Sequence, residues 1–195
     1  FADNGLVLRG MAEEYAEFAG FGHWGYPRRC DMPNIIRQIL FERTVNNCYT
    51  LAMITIRPIR ADEIPAAKHV ILSVAYGIYG WSGSLEDSIR HFESTGEFAD
   101  MDQVESHYFE NDGLFLAVLD DDTLIGSGAI RKLDPQTAEL KRMWLLESHH
   151  GKGIGYQVIK RLFEFARTKG YSLVRLQTGS EQARALAFYR KLGFY

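Results

Sequence analysis

The segment Glu147–Gly155 contains residue types that can bind a phosphate group. Three glycines lie around Lys152, and the segment stands between a predicted strand and a predicted amphipathic helix. Glycine lets a ligand approach the backbone, and the free N–H groups at a helix start attract an anion. The spacing predicts a pyrophosphate-binding turn, or else a glycine-rich connector without a ligand. Neither the dinucleotide motif nor the P-loop fits, since Tyr156 replaces a glycine and no Ser or Thr follows the lysine.

Glu139 is a candidate general base. It lies on a predicted strand, where alternation places it on the same face as Lys141, Met143 and Leu145. A carboxylate in a cleft there could accept a proton from an amine, directly or through water, with its pKa raised by burial. The alternative is a surface carboxylate paired with Lys141 or Arg131.

The neighbouring His149 and His150 are the residues that most resemble metal ligands. Side chains of adjacent residues diverge, and no third ligand lies close in the sequence. Cys30 and Cys48 lack the close spacing and histidine partners of a zinc site. We therefore expect no metal.

The composition is that of a globular chain. Its 195 residues are 46% apolar and 24% charged, and the longest apolar run is Leu114–Leu119, which excludes a transmembrane helix, a collagen and a disordered chain. Two cysteines do not make a disulfide scaffold, and this favours a reducing compartment. Since no secretory signal pattern is visible, we expect a cytoplasmic protein that does not contact a membrane.

The charges form two opposite blocks. Residues 86–122 contain twelve carboxylates and one base, whereas residues 131–191 contain thirteen bases and five acids. These blocks favour two ligands of opposite sign or, alternatively, two solvated faces. Nucleic acid is not an expected partner, because the bases are interleaved with core positions and have no array of stacking aromatics.

Hydrophobic periodicity predicts an α/β fold in which a β-meander leads into a βαβ unit. The predicted strands cover 53–59, 114–119, 124–130, 137–146 and 172–178, and the predicted helices cover 61–76, 85–93, 101–109, 154–170 and 181–192. Thr178 or Ser180 is expected to cap the last helix, with Glu181 completing a capping box from Thr178.

Residues 1–52 differ from the rest of the chain. They mix glycines with scattered aromatics and show one short helical pattern, within 35–40. Met53 is followed at once by a strand pattern. We therefore predict that an autonomous domain covers 53–195, and that 1–52 is an extension or an artefact of gene prediction.

Three separated blocks resemble the GNAT superfamily of acetyl-CoA-dependent N-acetyltransferases. They are Glu139–Trp144, His150–Gly155 and Ala185–Phe194, and they occur in the family's order. The resemblance covers roughly 53–195. His150 stands where the family has Gln or Arg, and Gln182 stands where it often has Asn.

This resemblance implies a mixed central sheet that splays between its fourth and fifth strands and is flanked by helices. The pantetheine arm of CoA would lie in that gap, and the pyrophosphate would bind the backbone amides of the glycine-rich turn. The implied cofactor-binding residues are Met143, Trp144, Leu145, His150, Gly151, Lys152, Gly153, Ile154 and Gly155. The family continues past the position of Tyr195, so we expect one or more C-terminal strands to be lacking.

The resemblance also implies the reaction. Acetyl transfer from acetyl-CoA to a small-molecule or peptide primary amine would have Glu139 as base and Tyr189 as the acid that reprotonates the CoA thiolate. Tyr189 could instead be a packed aromatic beside Phe188. Direct attack in a ternary complex is expected, because no cysteine follows Cys48.

The acidic block leads us to expect a cationic acceptor. A binding module that keeps CoA without turnover is the alternative function. The oligomeric state stays open, with a homodimer as one option.

Overall fold

The computed structural model describes residues 5–9 and 53–195, so the helical pattern at 35–40 lies outside the described residues. The strands are β1 (Gly5–Arg9), β2 (Ile54–Pro58), β3 (Leu114–Asp120), β4 (Thr123–Lys132), β5 (Thr137–Leu145) and β6 (Leu173–Gln177). The helices are α1 (Ile64–Tyr79), α2 (Leu85–Ser94), α3 (Ala99–Asp102), α4 (Val104–His107), α5 (Ile154–Thr168) and α6 (Ala183–Lys191).

These strands form one mixed sheet in the order β1-β6-β5-β4-β3-β2. The strands β2 to β5 pair antiparallel in sequence order, and α5 connects β5 to the parallel strand β6. The predicted meander followed by a βαβ unit is therefore confirmed. In addition, β1 pairs antiparallel with the outer edge of β6.

The sheet opens between β5 and β6. Their pairing ends at Leu140 and Leu176, although β5 continues to Leu145 and stays paired with β4 there. Counted from β2, these are the fourth and fifth strands, so the predicted splay is confirmed. The opening leaves backbone groups of the last part of β5 without a partner from β6.

Apolar side chains cover both faces of the sheet. On one face Leu140 and Val174 pack with Val158 and Leu162 of α5, and with residues of α6. On the other face Ala117 and Ala129 pack with residues of α1 and with the segment from α2 to α4. We call these the α5 face and the α1 face. None of the described helices is long and apolar enough to cross a membrane.

Two local expectations are wrong. The helix predicted at 101–109 is divided into the short helices α3 and α4 and a 3-10 turn at Phe109–Asn111. The last helix begins at Ala183, with Gln182 at its N-cap position and no side-chain cap. Thr178 does not complete a capping box, because its hydroxyl instead donates to Oε1 of Gln182 at 3.0 Å.

We predict that a chain starting at Met53 binds CoA as well as the full chain does. Among the described residues, those that form the α5 face and the α1 face all lie beyond 53, and β1 pairs with β6. Removing β1 leaves β6 as a bare edge, so aggregation must be monitored by light scattering. Calorimetry with both chains measures the affinity; loss of binding by a monomeric, folded 53–195 chain would place the domain boundary earlier.

Candidate functional site

A β-bulge at Arg142 interrupts β5 where the sheet opens. Lys141 pairs with Ala129 and Trp144 pairs with Ser127, so β5 has one more residue than β4 between these two pairs. Arg142 takes a left-handed conformation with φ +53°, which costs a non-glycine residue about 1–2 kcal/mol. The Ser127 hydroxyl donates to the carbonyl oxygen of Arg142 at 2.7 Å and so holds the bulge from β4.

The bulge reverses the alternation of side chains along β5. Glu139 lies opposite the α5 face, because its neighbours Ala138 and Leu140 belong to that face. Beyond the bulge Met143 and Leu145 pack on the α5 face, and Trp144 packs on the α1 face. The expectation that Glu139 shares a face with Met143 and Leu145 is therefore wrong.

The Arg142 side chain forms a buried ion pair with Asp100. Its Nη2 lies 2.5 Å from Oδ1 and its Nε 3.1 Å from Oδ2, and Nη2 also donates to the carbonyl oxygen of Glu97 at 2.7 Å. The guanidinium stacks over the Phe98 ring at 5.1 Å. The Tyr108 hydroxyl donates to Oδ2 of Asp100 at 2.5 Å. The bulge is thus tied to α3 and to its flanking residues.

Electrostatics keep this pair charged. Burial would raise the pKa of Asp100, but the hydrogen bonds and the charge of Arg142 outweigh it and hold that pKa below its usual range. Burial, together with the charge of Asp100, raises the pKa of Tyr108, so its phenol stays protonated and keeps donating. Because the pair is buried, removal of either Arg142 or Asp100 would leave the other charge buried without a partner.

Glu139 is buried rather than on the surface. Only 7% of its side chain is exposed, and Arg131 holds it through Nη2 at 2.7 Å and Nε at 2.8 Å. Both bonds end on Oε2, so Oε1 is the oxygen that could meet a water or an amine. Pairing with Arg131 was one of the two alternatives for this residue, and its role as a base stays a prediction.

The glycine-rich turn has the backbone that a phosphate site needs. Gly151 and Gly153 both have φ +77°, and no atom lies within 4 Å of a Cβ built at either position. Helix α5 starts at Ile154. The first backbone N–H of this helix that makes a helical hydrogen bond is that of Gln157, which donates to the carbonyl oxygen of Gly153. The amides of 154–156 are therefore free to bind an anion.

The two histidines before this turn point to different partners. Nε2 of His149 donates to Oδ2 of Asp120 at 2.8 Å, and Nε2 of His150 donates to the carbonyl oxygen of Leu145 at 2.9 Å. They therefore anchor the turn to β3 and β5. The described residues contain no group of three or more side chains arranged to hold a metal ion.

Tyr189 is part of the core on the α5 face. Its ring packs against Phe188 at 5.6 Å and Phe194 at 5.7 Å. A tyrosine phenol is protonated at neutral pH, and burial raises the pKa of Tyr189 further above that range. That is the state in which it could donate a proton.

The sequence profile of the Acetyltransferase (GNAT) family matches residues 81–194. The chain belongs to this family. The match covers α2 through α6 and therefore includes the bulge, the splay and the glycine-rich turn. The family fold expected from the three sequence blocks is confirmed.

Solved structures of GNAT proteins have the same fold. A GNAT-family acetyltransferase from Staphylococcus aureus aligns with TM-score 0.63 and 18% identity over 73% of this chain and 85% of its own. The PaiA N-acetyltransferase from Thermoplasma acidophilum, solved in complex with coenzyme A, aligns with TM-score 0.59 and 25% identity over 71% of this chain and 87% of its own.

Curated relatives also carry acetyltransferase names. The uncharacterized N-acetyltransferase YsnE of Bacillus subtilis is 38% identical over 41% of this chain and 54% of its own. The IAA acetyltransferase of Azospirillum brasilense is 38% identical over 41% and 53%, and an N-acetylaspartate synthetase of Danio rerio is 34% identical over 49% and 34%. This GNAT chain thus spans about half or less of the length of these relatives.

We expect Gly153→Val to weaken CoA binding at least tenfold, or about 1.4 kcal/mol. A branched side chain is strained at φ +77° and would occupy the open space in front of the free amides. Gly170→Val is the matched control, because Gly170 has φ +82° and equally open surroundings at the opposite end of α5. Calorimetry should find the control unchanged; equal affinities for both variants would remove the turn from the CoA site.

We expect Asp100→Ala to lower the free energy of unfolding by about 3 kcal/mol or more, because it leaves the Arg142 guanidinium buried without a counter-charge. Asp102→Ala is the control: Asp102 also pairs with a base, Lys68, but 57% of its side chain is exposed, against 8% for Asp100. The control should lose less than about 1 kcal/mol in urea denaturation. Similar losses in both variants would contradict a special role for the buried pair.

Proposed function

We propose that this GNAT protein transfers the acetyl group of acetyl-CoA to a primary amine, by direct attack in a ternary complex. The observation that carries the proposal is the alignment of three features along β5. The strand separates from β6 after Leu140, bulges at Arg142 and ends at Leu145. The segment that follows leads to the glycine-rich turn and its free amides. A long ligand with a phosphate at one end and a reactive group at the other fits that order.

The turn would hold the pyrophosphate. Gly151 and Gly153 leave room for close approach, and the exposed Lys152 between them adds a positive charge. His150 braces the turn against Leu145 rather than presenting its Nε2 to a phosphate. The amides of 154–156 would supply most of the contacts.

The opened part of β5 would hold the acyl end. Backbone N–H groups within Met143–Leu145 could polarise a carbonyl group there, because a bulge and a missing neighbour strand leave such groups unpaired. Acetyl-CoA supplies a thioester whose carbonyl carbon accepts the amine and whose thiolate leaves.

Two side chains would move protons. Glu139 would take the proton of the incoming amine at Oε1, directly or through one water, while Arg131 keeps Oε2. Tyr189, whose phenol is protonated at neutral pH, would return a proton to the leaving thiolate, although burial raises its pKa and so makes it a weaker acid. A CoA-binding protein without turnover is the alternative; the two hydrogen bonds from Arg131 to Oε2 of Glu139 favour it, because they give this carboxylate a structural role.

We expect Glu139→Gln to lower kcat by about 10²–10⁴-fold with little change in CoA affinity. Glutamine keeps the shape and an oxygen for Arg131 but cannot accept the proton. The residual rate should rise with pH, because more of the acceptor is then free amine. Thiol release from acetyl-CoA across a panel of amines measures the rate.

Glu164→Gln is the control, since Glu164 is half exposed on α5 and pairs loosely with Lys160 at 4.0 Å. It should retain full activity. A Glu139→Gln variant with nearly full kcat at neutral pH would reduce Glu139 to a structural partner of Arg131. A wild-type protein that binds CoA but acetylates no amine would favour the binding module.

A further inference from the structure

The α1 face carries a row of charges across three strands just before the sheet opens. Arg131 of β4 pairs in register with Glu139 of β5, and Glu139 pairs in register with Arg175 of β6. Directly paired residues on neighbouring strands have their side chains side by side. Lys141 lies two residues further along β5 on the same face. Glu139 is thus flanked by cations on three sides.

Asp100 and Glu139, the two carboxylates that act on Lys141, already pair with arginines. Arg131 takes Oε2 of Glu139, and Arg142 takes both oxygens of Asp100. Within the described part of the chain, the side chains of Lys141 and Arg175 form neither a hydrogen bond nor an ion pair. Asp100 and Glu139 attract the Lys141 ammonium group, but burial and the charge of Arg131 outweigh this attraction. Among the described residues, the row therefore has two cationic side chains without a directly bonded counter-charge.

The position of Lys141 disfavours the charged form of its side chain. Its ammonium group is half-buried, and this burial, together with the charge of Arg131, lowers its pKa. Arg175 is half-buried as well. A bound anion would relieve the cost, because a counter-charge stabilises a partly desolvated cation.

An acceptor whose amine gives its proton to Glu139 has to approach these cations. Lys141 is the first residue of β5 beyond the last pair with β6, at Leu140 and Leu176. Glu139, the proposed base, is a neighbour of both cations: Lys141 lies two residues further along β5, and Arg175 is the register partner of Glu139 on β6. An amine that gives its proton to Glu139 therefore has Lys141 and Arg175 as its nearest free charges.

Part of the acidic block is neutralised within the fold. Four of its twelve carboxylates are in ion pairs with lysine or arginine, namely Asp87, Asp100, Asp102 and Asp112, and Asp120 accepts a hydrogen bond from His149. Asp100 and Asp112 pair with bases of the basic block, Arg142, Lys132 and Lys169. The two blocks thus partly neutralise each other, while the cationic acceptor expected from the acidic block stays a prediction.

We propose that the acceptor is a free amino acid or a close analogue, whose carboxylate binds Lys141 and Arg175 while its amine meets Glu139. This inference rests on the proposed acetyl transfer and names its substrate class. An amino acid carries its carboxylate one carbon away from its amine, so an amine at Glu139 brings the carboxylate towards the cations beside Glu139. A guanidinium binds a carboxylate through two parallel hydrogen bonds. A peptide N-terminus lacks that carboxylate and is a poor substrate.

The test compares acceptors that differ only in the carboxylate. Each amino acid of a panel is assayed beside its amide and its decarboxylated amine, with kcat and KM measured separately by thiol release. We expect the best amino acid to exceed its own amide at least tenfold in kcat/KM. Equal values for acid and amide would overturn the inference.

Variants then assign the preference to its residues. Lys141→Met and Arg175→Gln should each lower the ratio of kcat/KM for the amino acid to that for its amide, mainly by raising KM for the amino acid. Lys141→Arg should keep this ratio because it keeps the charge. Lys160→Gln is the control, because Lys160 lies on α5 with 64% of its side chain exposed. Melting temperatures verify that each variant is folded. A preference that survives in both Lys141→Met and Arg175→Gln would overturn the assignment.

The two levels of proposal fail differently. If amides and simple amines are acetylated as well as amino acids, the transfer reaction stands and the carboxylate preference falls. If CoA binds but no acceptor of any class is acetylated, the proposed function falls and the substrate class falls with it. CoA affinity should be the same in every variant, since neither cation belongs to the glycine-rich turn.

Discussion

The left-handed residue in the middle of β5 is the constraint on which the rest of the site depends. Arg142 holds a backbone conformation that is unfavourable for an arginine, and a strand keeps such a residue only if its surroundings compensate for the cost. Compensation comes from the hydroxyl of Ser127 on one side and from the ion pair with Asp100 on the other. The conformation of β5 is thus held by a hydroxyl from β4 and a carboxylate from a short helix.

That constraint connects the two sides of the sheet. Because the bulge shifts the alternation, Met143 and Leu145 reach the core under α5, while Glu139 and Lys141 remain on the face covered by α1. The proposed CoA side and the proposed acceptor side are therefore built from neighbouring residues of one strand. In a strand without the bulge, Met143 and Leu145 would lie on the same face as Glu139 and Lys141.

Much of the fold could be predicted from the sequence, because strands with buried faces and helices with apolar stripes have strong periodicities. The glycine-rich turn was also predictable, since Gly151 and Gly153 mark backbone conformations that other residues avoid. The bulge was not, because an arginine at positive φ leaves no pattern. The unpaired state of Lys141 and Arg175 was equally hidden, since it depends on the register between β5 and β6 and on which carboxylates Arg131 and Arg142 occupy.

The pairing of β1 with β6 has a consequence for how the chain acquires its structure. Gly5 and Gln177 are partners although nearly the whole chain separates them. During synthesis β1 leaves the ribosome long before β6 exists, so this edge of the sheet is expected to close last, after a large loop entropy has been overcome. Until then β6 offers an open edge to any extended segment, including the same segment of another nascent chain.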